Sequence, residues 1–256
     1  MLDRALRLLT VFESHDGALS LTALSAKAGL PKSTALRIAR QLVGWGVLER
    51  TGDGEFVIGL RLLQLASLAP RGHGLRTVAM PFMEDLHKAT GQHVLLAVRD
   101  GEHAVLVERL SAHHAGRVAY RVGGQMPLHS TGVGLVLLAH APAEIQRAVL
   151  GTELLLEDEH PGARLDPAEL RRTLARIRQE GTAVNVRTVP EPMASVAAPV
   201  LDARQQVIAA LSVIAPTDTM QPAAMKPAVI AVARAITRAV RASPAARPGE
   251  ARHSSG

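Results

Sequence analysis

The chain has 256 residues, of which 47% are hydrophobic, and a formal net charge of +6. This length accommodates two modest domains, and the hydrophobic content is typical of packed rather than disordered chains. The absence of cysteine excludes disulfides, cysteine catalysis and thiolate metal sites, and the basic balance favours a polyanionic partner.

The first fifteen residues lack the apolar core and the small-residue cleavage site of a signal peptide. No run approaches the ~18 uninterrupted apolar residues needed to cross a bilayer. We therefore expect a cytoplasmic protein that does not associate with a membrane.

A first helix is predicted at the N-terminus. Leu2, Leu6, Leu9 and Phe12 repeat at helical spacing, and Gly17 follows as the stop. We expect this apolar face to pack across the next two helices and to close their core.

Residues 20–50 contain two short helices joined by a tight turn. Ser20 is a good N-cap, and Gly29 suits the left-handed residue that ends the first helix. Pro31 suits the first turn of the second helix, because its missing N–H is not needed there. The pattern predicts a helix-turn-helix.

The second helix has two distinct faces. Ala35, Ile38 and Leu42 fall on one side and form an apolar face. The polar and basic side chains outside it are the residue types that contact base edges and phosphates in a major groove. The candidate DNA contacts are Lys32, Ser33, Thr34, Arg37, Arg40, Gln41 and, beyond the helix, Arg50.

An ordinary solvated helix would show the same amphipathic pattern, so the flanking sequence decides. Trp45-Gly46 ends the helix, and residues 47–50 and 55–58 read as strands around a turn at 51–54. This order of elements is a winged helix-turn-helix and favours DNA binding. Five basic residues against one acid between Lys27 and Arg50 agree with it.

Residues 59–68 are apolar almost all round. We interpret them as a linker helix that also serves dimerisation; the alternative is that the helix covers its own domain. Pro70 to Gly74 should interrupt the chain before a second domain. The expected spans are 1–59 for the DNA-binding domain, 60–73 for the linker helix and hinge, 74–242 for a ligand-binding domain and 243–256 for a disordered tail.

The second domain should be α+β, because helices and hairpin-connected strands alternate irregularly. Apolar runs around Asp100-Gly101 predict a hairpin, and residues 116–122 are a further strand candidate. Asp166, Pro167 and Glu169 cap a helix that ends at Gly181. The other predicted helices are 75–90, 131–140, 143–150 and 223–241, and the other strands are 183–186, 195–201 and 206–214.

Four stretches resemble the IclR family of bacterial transcription regulators: LPKSTALRIARQLVGWGVLER, GLRLLQLA, GGQMPLHSTGVGLVLLAHAP and VAAPVLDARQQVIAALSVIAP. The resemblance runs from about Leu2 to about Arg241. It implies a GAF-like effector-binding domain with an antiparallel sheet behind the DNA-binding domain. We expect a homodimer or a dimer of dimers that binds double-stranded DNA at a pseudo-palindromic operator and is modulated by a small molecule.

The resemblance also implies an effector pocket lined by Ala115, Val118, Gly132, Val133, Asn185, Ser195 and Ser212. These could equally be ordinary strand and helix-start residues. The expected effector is a small organic or aromatic acid, with Arg117, Arg121 or Arg187 as its carboxylate partner.

The chain departs from the family pattern at four positions near this pocket. Asn185 replaces an acid, Thr188 a glutamate, Pro192 a glycine and Leu135 a lysine. These changes should make the rim of the pocket less acidic and the loop that contains Pro192 stiffer.

Other chemistry is not indicated. The pair His113-His114 and His129 do not form a metal-ligand motif, and no serine–histidine–acid arrangement can be assigned. Methionine sulfoxide reduction, an activity of some GAF-like folds, needs cysteine. We expect no cofactor, no metal and no catalysis. The remaining alternative is a small-molecule sensor or enzyme whose N-terminal module binds a protein, and the salt dependence of DNA affinity would separate the two.

Overall fold

The computed structural model describes residues 1–15, 17–112, 118, 120–152, 165–187 and 192–243. Contacts divide the chain into a first unit, Met1–Ala69, and a second unit that begins at Pro70. Each unit has its own hydrophobic core. Within the described ranges, no helix is both long enough and apolar enough to cross a membrane.

The first unit is a winged helix-turn-helix followed by a short helix, as predicted. Its elements are α1 (Leu2–Thr10), a 3-10 turn (Val11–Ser14), α2 (Leu21–Ala28), α3 (Lys32–Gly44), β1 (Leu48–Arg50), β2 (Phe56–Ile58) and α4 (Leu60–Ala66). β1 and β2 pair antiparallel, and Leu19 bridges to Phe56 beside them.

The turn between α2 and α3 follows the expected chemistry. The Ser20 side chain accepts a hydrogen bond from the Ala23 N–H, and Gly29 ends α2 at φ +62°. The buried Ser25 hydroxyl donates to the Leu30 carbonyl at 2.6 Å. Pro31 lies one residue before the first turn of α3, at the N-cap position.

The predicted inner face of α1 is wrong at two positions. Leu2 and Leu6 are 71% and 51% exposed, whereas Leu8 is fully buried. Ala5, Leu8 and Phe12 form a second apolar stripe at helical spacing, and this stripe packs into the core of the first unit. Leu9 and Phe12 of the predicted face also contact this core, so the inward face is shifted towards Ala5 and Leu8.

The start of α4 is bound tightly to the wing. A Cβ on Gly59 would lie 2.2 Å from the Gly46 carbonyl oxygen, so the two backbones approach as closely as glycine permits. The Gly59 N–H donates to the Val47 carbonyl, and the Arg61 N–H donates to the Gly46 carbonyl. No residue of α4 is buried, so the helix does not cover the core of its own unit.

The second unit is α+β and contains a six-stranded antiparallel sheet in the order β5-β4-β3-β8-β7-β6. Its helices are α5 (Leu75–Thr90), α6 (Gly132–Ala139), α7 (Ala143–Gly151), α8 (Pro167–Glu180) and α9 (Pro222–Ala242). Its strands are β3 (His93–Asp100), β4 (His103–Leu110), β5 (Gln125–Pro127), β6 (Ala183–Arg187), β7 (Met193–Leu201) and β8 (Val207–Pro216).

Pro70–Gly74, where the second unit begins, forms a π-helical turn that leads directly into α5. One expectation for this unit needs correction. Of the strand candidate 116–122, the described residues Val118 and 120–122 are not in a strand, and the strand in this region is β5. Residues 113–117 and 119 lie outside the described residues.

The sheet has two buried faces. Helices α5 and α9 pack on one of them, which we call the α9 face and which includes Val94, Leu96 and Val213. Helices α6 and α8 pack on the other, the α6 face, which includes Leu95, Ala97 and Ala210. Alternation along each strand assigns neighbouring side chains to opposite faces.

Candidate DNA-reading helix and effector site

The buried side of α3 fixes its position in the first unit. Ala35, Ile38 and Ala39 are almost completely buried and pack into the core. Of the predicted DNA contacts on this helix, Thr34 is half-buried and the others are exposed: Lys32, Ser33, Arg37, Arg40 and Gln41. The predicted orientation of α3 is therefore observed.

The exposed side of α3 is basic and unneutralised. The helix contains no acidic residue, and neither Arg37 nor Arg40 has an ion pair among the described residues. Glu49, the one acid between Lys27 and Arg50, accepts a hydrogen bond from the Leu60 N–H at 2.9 Å. The positive field of this face is thus available to a polyanion.

Arg50 belongs to the wing rather than to α3. Its Nε donates to the Gly54 carbonyl at 3.1 Å, and its guanidinium carbon lies 5.9 Å from the centroid of the Phe56 ring. The side chain braces the wing turn while remaining exposed.

Three predicted effector residues meet at the start of α6. The Thr131 hydroxyl caps this helix by accepting from the Gly134 N–H. A Cβ on Gly132 would lie 2.4 Å from the Ser195 Oγ, so glycine is required for α6 to approach β7. Asn185, the cross-strand partner of Ser195, donates from Nδ2 to the Ser130 carbonyl at 2.9 Å.

Three more predicted residues lie on the same layer. Val133 is buried in the core of the α6 face, and Val118 packs against this core. Ser212 is 1% exposed and pairs with Ala197 and Leu95, and its hydroxyl has no hydrogen-bond partner in the part of the chain that the structure describes. Ala115 lies outside the described residues.

Of the three predicted carboxylate partners, the structure describes the side chain of Arg121, which is exposed. Arg117 and the side chain of Arg187 lie outside the described residues. Leu135 is buried in the core of the α6 face, so this position contributes packing. Pro192 is exposed and its carbonyl accepts from the Thr217 N–H, and Thr188 lies outside the described residues.

Sequence reasoning missed two polar side chains of this layer, His93 and Arg109. His93 is buried, and its Nδ1 accepts from the Ala112 N–H at 3.1 Å. Arg109 donates from Nη1 to the carbonyls of Val118, at 3.2 Å, and Tyr120, at 2.7 Å. Arg109 therefore holds the segment that carries a predicted effector residue.

No group of three or more histidine, aspartate or glutamate side chains able to hold a metal ion occurs in the part of the chain that is described. His129 is half-buried, and His113 and His114 lie outside that part.

Comparison with known proteins identifies both units. Residues 1–52 match the IclR helix-turn-helix domain, and residues 69–241 match the C-terminal domain of the bacterial transcriptional regulator IclR. The chain belongs to the IclR family. Members of this family are transcription regulators with a helix-turn-helix DNA-binding domain and a C-terminal effector domain, and are not enzymes.

Similar regulators cover nearly the whole chain. The HTH-type transcriptional regulator BhcR of Paracoccus denitrificans is 31% identical over 241 residues, which are 92% of this chain and 85% of that protein. The glycerol operon regulatory protein of Streptomyces coelicolor is 28% identical over 241 residues, which are 93% of this chain and 94% of that protein.

The fold also matches that of solved IclR proteins. An IclR homolog from Microbacterium hydrocarbonoxydans, crystallised in complex with 4-hydroxybenzoate, aligns with a TM-score of 0.85 and 34% identity. The alignment covers 94% of this chain and 99% of that one. The predicted α+β architecture and the predicted family are both confirmed.

Proposed function

We propose that this IclR-family regulator binds a pseudo-palindromic operator as a two-fold dimer, and that a small organic acid bound in the second unit modulates this binding. The observation that carries the proposal is α3, a helix fixed by a buried face whose outer face is basic and unneutralised. Because the proposed target is chromosomal DNA, we expect the protein in the cytoplasm.

The α3 helix provides two kinds of DNA contact. Its N-terminus has no side-chain cap, so the first N–H groups, at Lys32, Ser33 and Thr34, are available to phosphate oxygens. One turn further, Arg37 is exposed on the same helix and is the side chain best suited to bidentate recognition of guanine. Arg40, Gln41 and Arg50 complete the proposed contact set.

The exposed leucines of the α4 segment support dimerisation. Leu60, Leu63, Leu65 and Leu68 are all at least about half exposed, although α4 starts from a rigid junction with the wing. An exposed apolar patch of this kind marks an interface, and a second copy of the same segment is the simplest complement. A two-fold dimer would present two α3 helices to half-sites about one DNA turn, ~34 Å, apart.

The α6 face supports effector binding. Gly132, Asn185 and Ser195 converge there, and Ser212 adds a buried hydroxyl without a partner. Apolar walls with a few short polar groups are typical of small-molecule sites. Because the Microbacterium homolog is a complex with 4-hydroxybenzoate, we take this compound as the first candidate for the present chain.

The proposed effector site and the proposed DNA-reading helix belong to different units, because the α6 face is part of the second unit and α3 of the first. Coupling of this type is reciprocal: DNA must change effector affinity by the same factor as the effector changes DNA affinity, typically by ~1–3 kcal/mol. The hydrogen bonds that fix the start of α4 to the wing make this helix a candidate for transmitting the change.

The salt dependence of duplex binding tests the DNA-binding part of this proposal. Affinity measured by fluorescence anisotropy should fall log-linearly with salt concentration, because phosphate contacts release counterions. Neutralising one phosphate-contacting residue, as in Arg40→Ala, should reduce the slope by about 1. Weak, salt-independent binding would instead support a module that contacts protein.

A further inference from the structure

Arg109 is a half-buried cation whose charge no described residue neutralises. It is the next-to-last residue of β4, and its side chain donates to the carbonyls of Val118 and Tyr120, which are uncharged. No carboxylate lies within ion-pair distance of it among the described residues. Arginine stays protonated in proteins, so burial without a counter-ion is costly unless a ligand supplies one.

A β-bulge directs Arg109 into the effector layer. Leu96 pairs with Glu108, but the next residue, Ala97, pairs with Leu106, so β4 has one extra residue at Val107. Such an insertion reverses the alternation of side chains beyond it. Arg109 consequently pairs with Leu95, a residue of the α6 face.

The same bulge assigns the neighbouring acid, Glu108, to the α9 face. Glu108 pairs with Leu96, a residue of the α9 face, and its carboxylate forms an ion pair with Arg76 of α5. The acid next in sequence to Arg109 is therefore engaged on the opposite side of the sheet. The positive charge of Arg109 is therefore on the α6 face, and the negative charge of Glu108 is on the α9 face.

A buried hydroxyl lies on the same cross-strand row. Arg109 pairs with Leu95, and Leu95 pairs with Ser212, whose hydroxyl has no hydrogen-bond partner among the described residues. Two strand spacings separate the backbones of Arg109 and Ser212, about 10 Å in total. A cation without a counter-ion and a buried hydroxyl without a hydrogen-bond partner among the described residues lie on one row, and together they complement a ligand with a carboxylate and a further polar group.

We propose that Arg109 is the residue that pairs with the carboxylate of the effector, and that it makes this regulator selective for small carboxylic acids over their uncharged analogues. This assignment rests on the proposed effector site of the α6 face. Nη1 already binds the segment of Val118 and Tyr120, which leaves Nη2 and Nε of the guanidinium for the ligand. Charge-assisted bonds of this kind are stronger than neutral ones and specify a planar carboxylate.

Calorimetry of the full-length protein with 4-hydroxybenzoate and 4-hydroxybenzamide tests the proposal, because the two probes differ in charge and little in shape. The wild type should bind the acid more tightly than the amide. Arg109→Met should lower acid affinity by about tenfold or more, the range expected for losing a hydrogen bond to a charged group. It should lower amide affinity by much less, since the amide loses only the support that Arg109 gives to the segment of Val118, whereas Arg109→Lys should retain part of the preference for the acid.

Arg172→Met is the matched control, since Arg172 is an exposed arginine of α8 outside the predicted site and its loss should not alter either affinity. Equal loss of acid and amide binding in Arg109→Met would mean that Arg109 only holds its segment in place, and would overturn the proposal. A wild type that binds neither probe, or binds both equally, would also overturn it. DNA affinity is measured on the same preparations. Retained DNA binding shows that the variants are folded, and it tests the proposed regulator function independently of effector binding.

Discussion

The Glu49 carboxylate accepts a hydrogen bond of 2.9 Å from the Leu60 N–H, which joins the wing strand β1 to the first turn of α4. A carboxylate at a helix N-terminus also stabilises the helix, because it interacts favourably with the helix dipole. Together with the close approach of Gly59 to Gly46, this bond fixes the start of α4 against the wing.

Gly59→Ala should loosen the first unit. The new methyl group would overlap the Gly46 carbonyl, and overpacking of this kind costs about 1–3 kcal/mol. Hydrogen–deuterium exchange should become faster in peptides from residues 1–69 and stay unchanged in the second unit. Gly52→Ala, at an open position in the wing turn, is the control. Unchanged exchange in Gly59→Ala would contradict the described packing.

Arg37→Ala should weaken binding to a specific operator by about 1–3 kcal/mol without changing stability, because the side chain is exposed and has no ion pair to lose. A mobility-shift titration measures the loss, and a thermal melt verifies the fold. Arg171→Ala removes an equally exposed arginine from α8 and should bind normally. Equal affinities for the two variants would remove Arg37 from the reading face.

Leu63→Asp should shift the protein towards monomers. Leu63 is 65% exposed, and a charge introduced there would be desolvated in the proposed interface. Sedimentation velocity at micromolar concentration should show dimers for the wild type and for the exposed-site control Gln64→Asp. Monomeric wild type, or a dimer that tolerates Leu63→Asp, would place the interface elsewhere.

Ser212→Ala should bind the effector less tightly without losing stability. A buried hydroxyl that has no partner costs about 1–3 kcal/mol, so its removal should not lower the free energy of unfolding. Thr131→Ala is the contrasting control, because its buried hydroxyl caps α6 and its loss should cost about 1 kcal/mol. Urea unfolding compares the two variants. A clear loss of stability in Ser212→Ala would show that its hydroxyl is satisfied in the protein.

Local signals in the sequence were sufficient to predict most elements. Ser20, Gly29 and Gly181 are caps and stops whose chemistry acts over a few residues, and the structure places each where it was expected. The inward Leu170, Leu174 and Ile177 of α8 follow from simple helical periodicity. Where one apolar stripe was available, the face of a helix could be predicted.

The errors arose where tertiary structure decided between local alternatives. Helix α1 has two apolar stripes, and only packing against its neighbours selects the one that contains Leu8. Arg109 was missed because strict alternation from Leu106 would place it on the α9 face, and the bulge at Val107 reverses this assignment. The register of β3 against β4 cannot be inferred from either strand alone.

The central claim is that α3 reads DNA sequence in a two-fold dimer, and selection from a random duplex pool tests it most directly. The full-length protein is incubated with the pool at near-physiological salt, where non-specific contacts are weakened, and the retained duplexes are sequenced. The account predicts one enriched motif with two inverted half-sites about one helical turn, ~34 Å, or a multiple of it apart. Retention of duplexes with no shared motif, or of none at all, would contradict it.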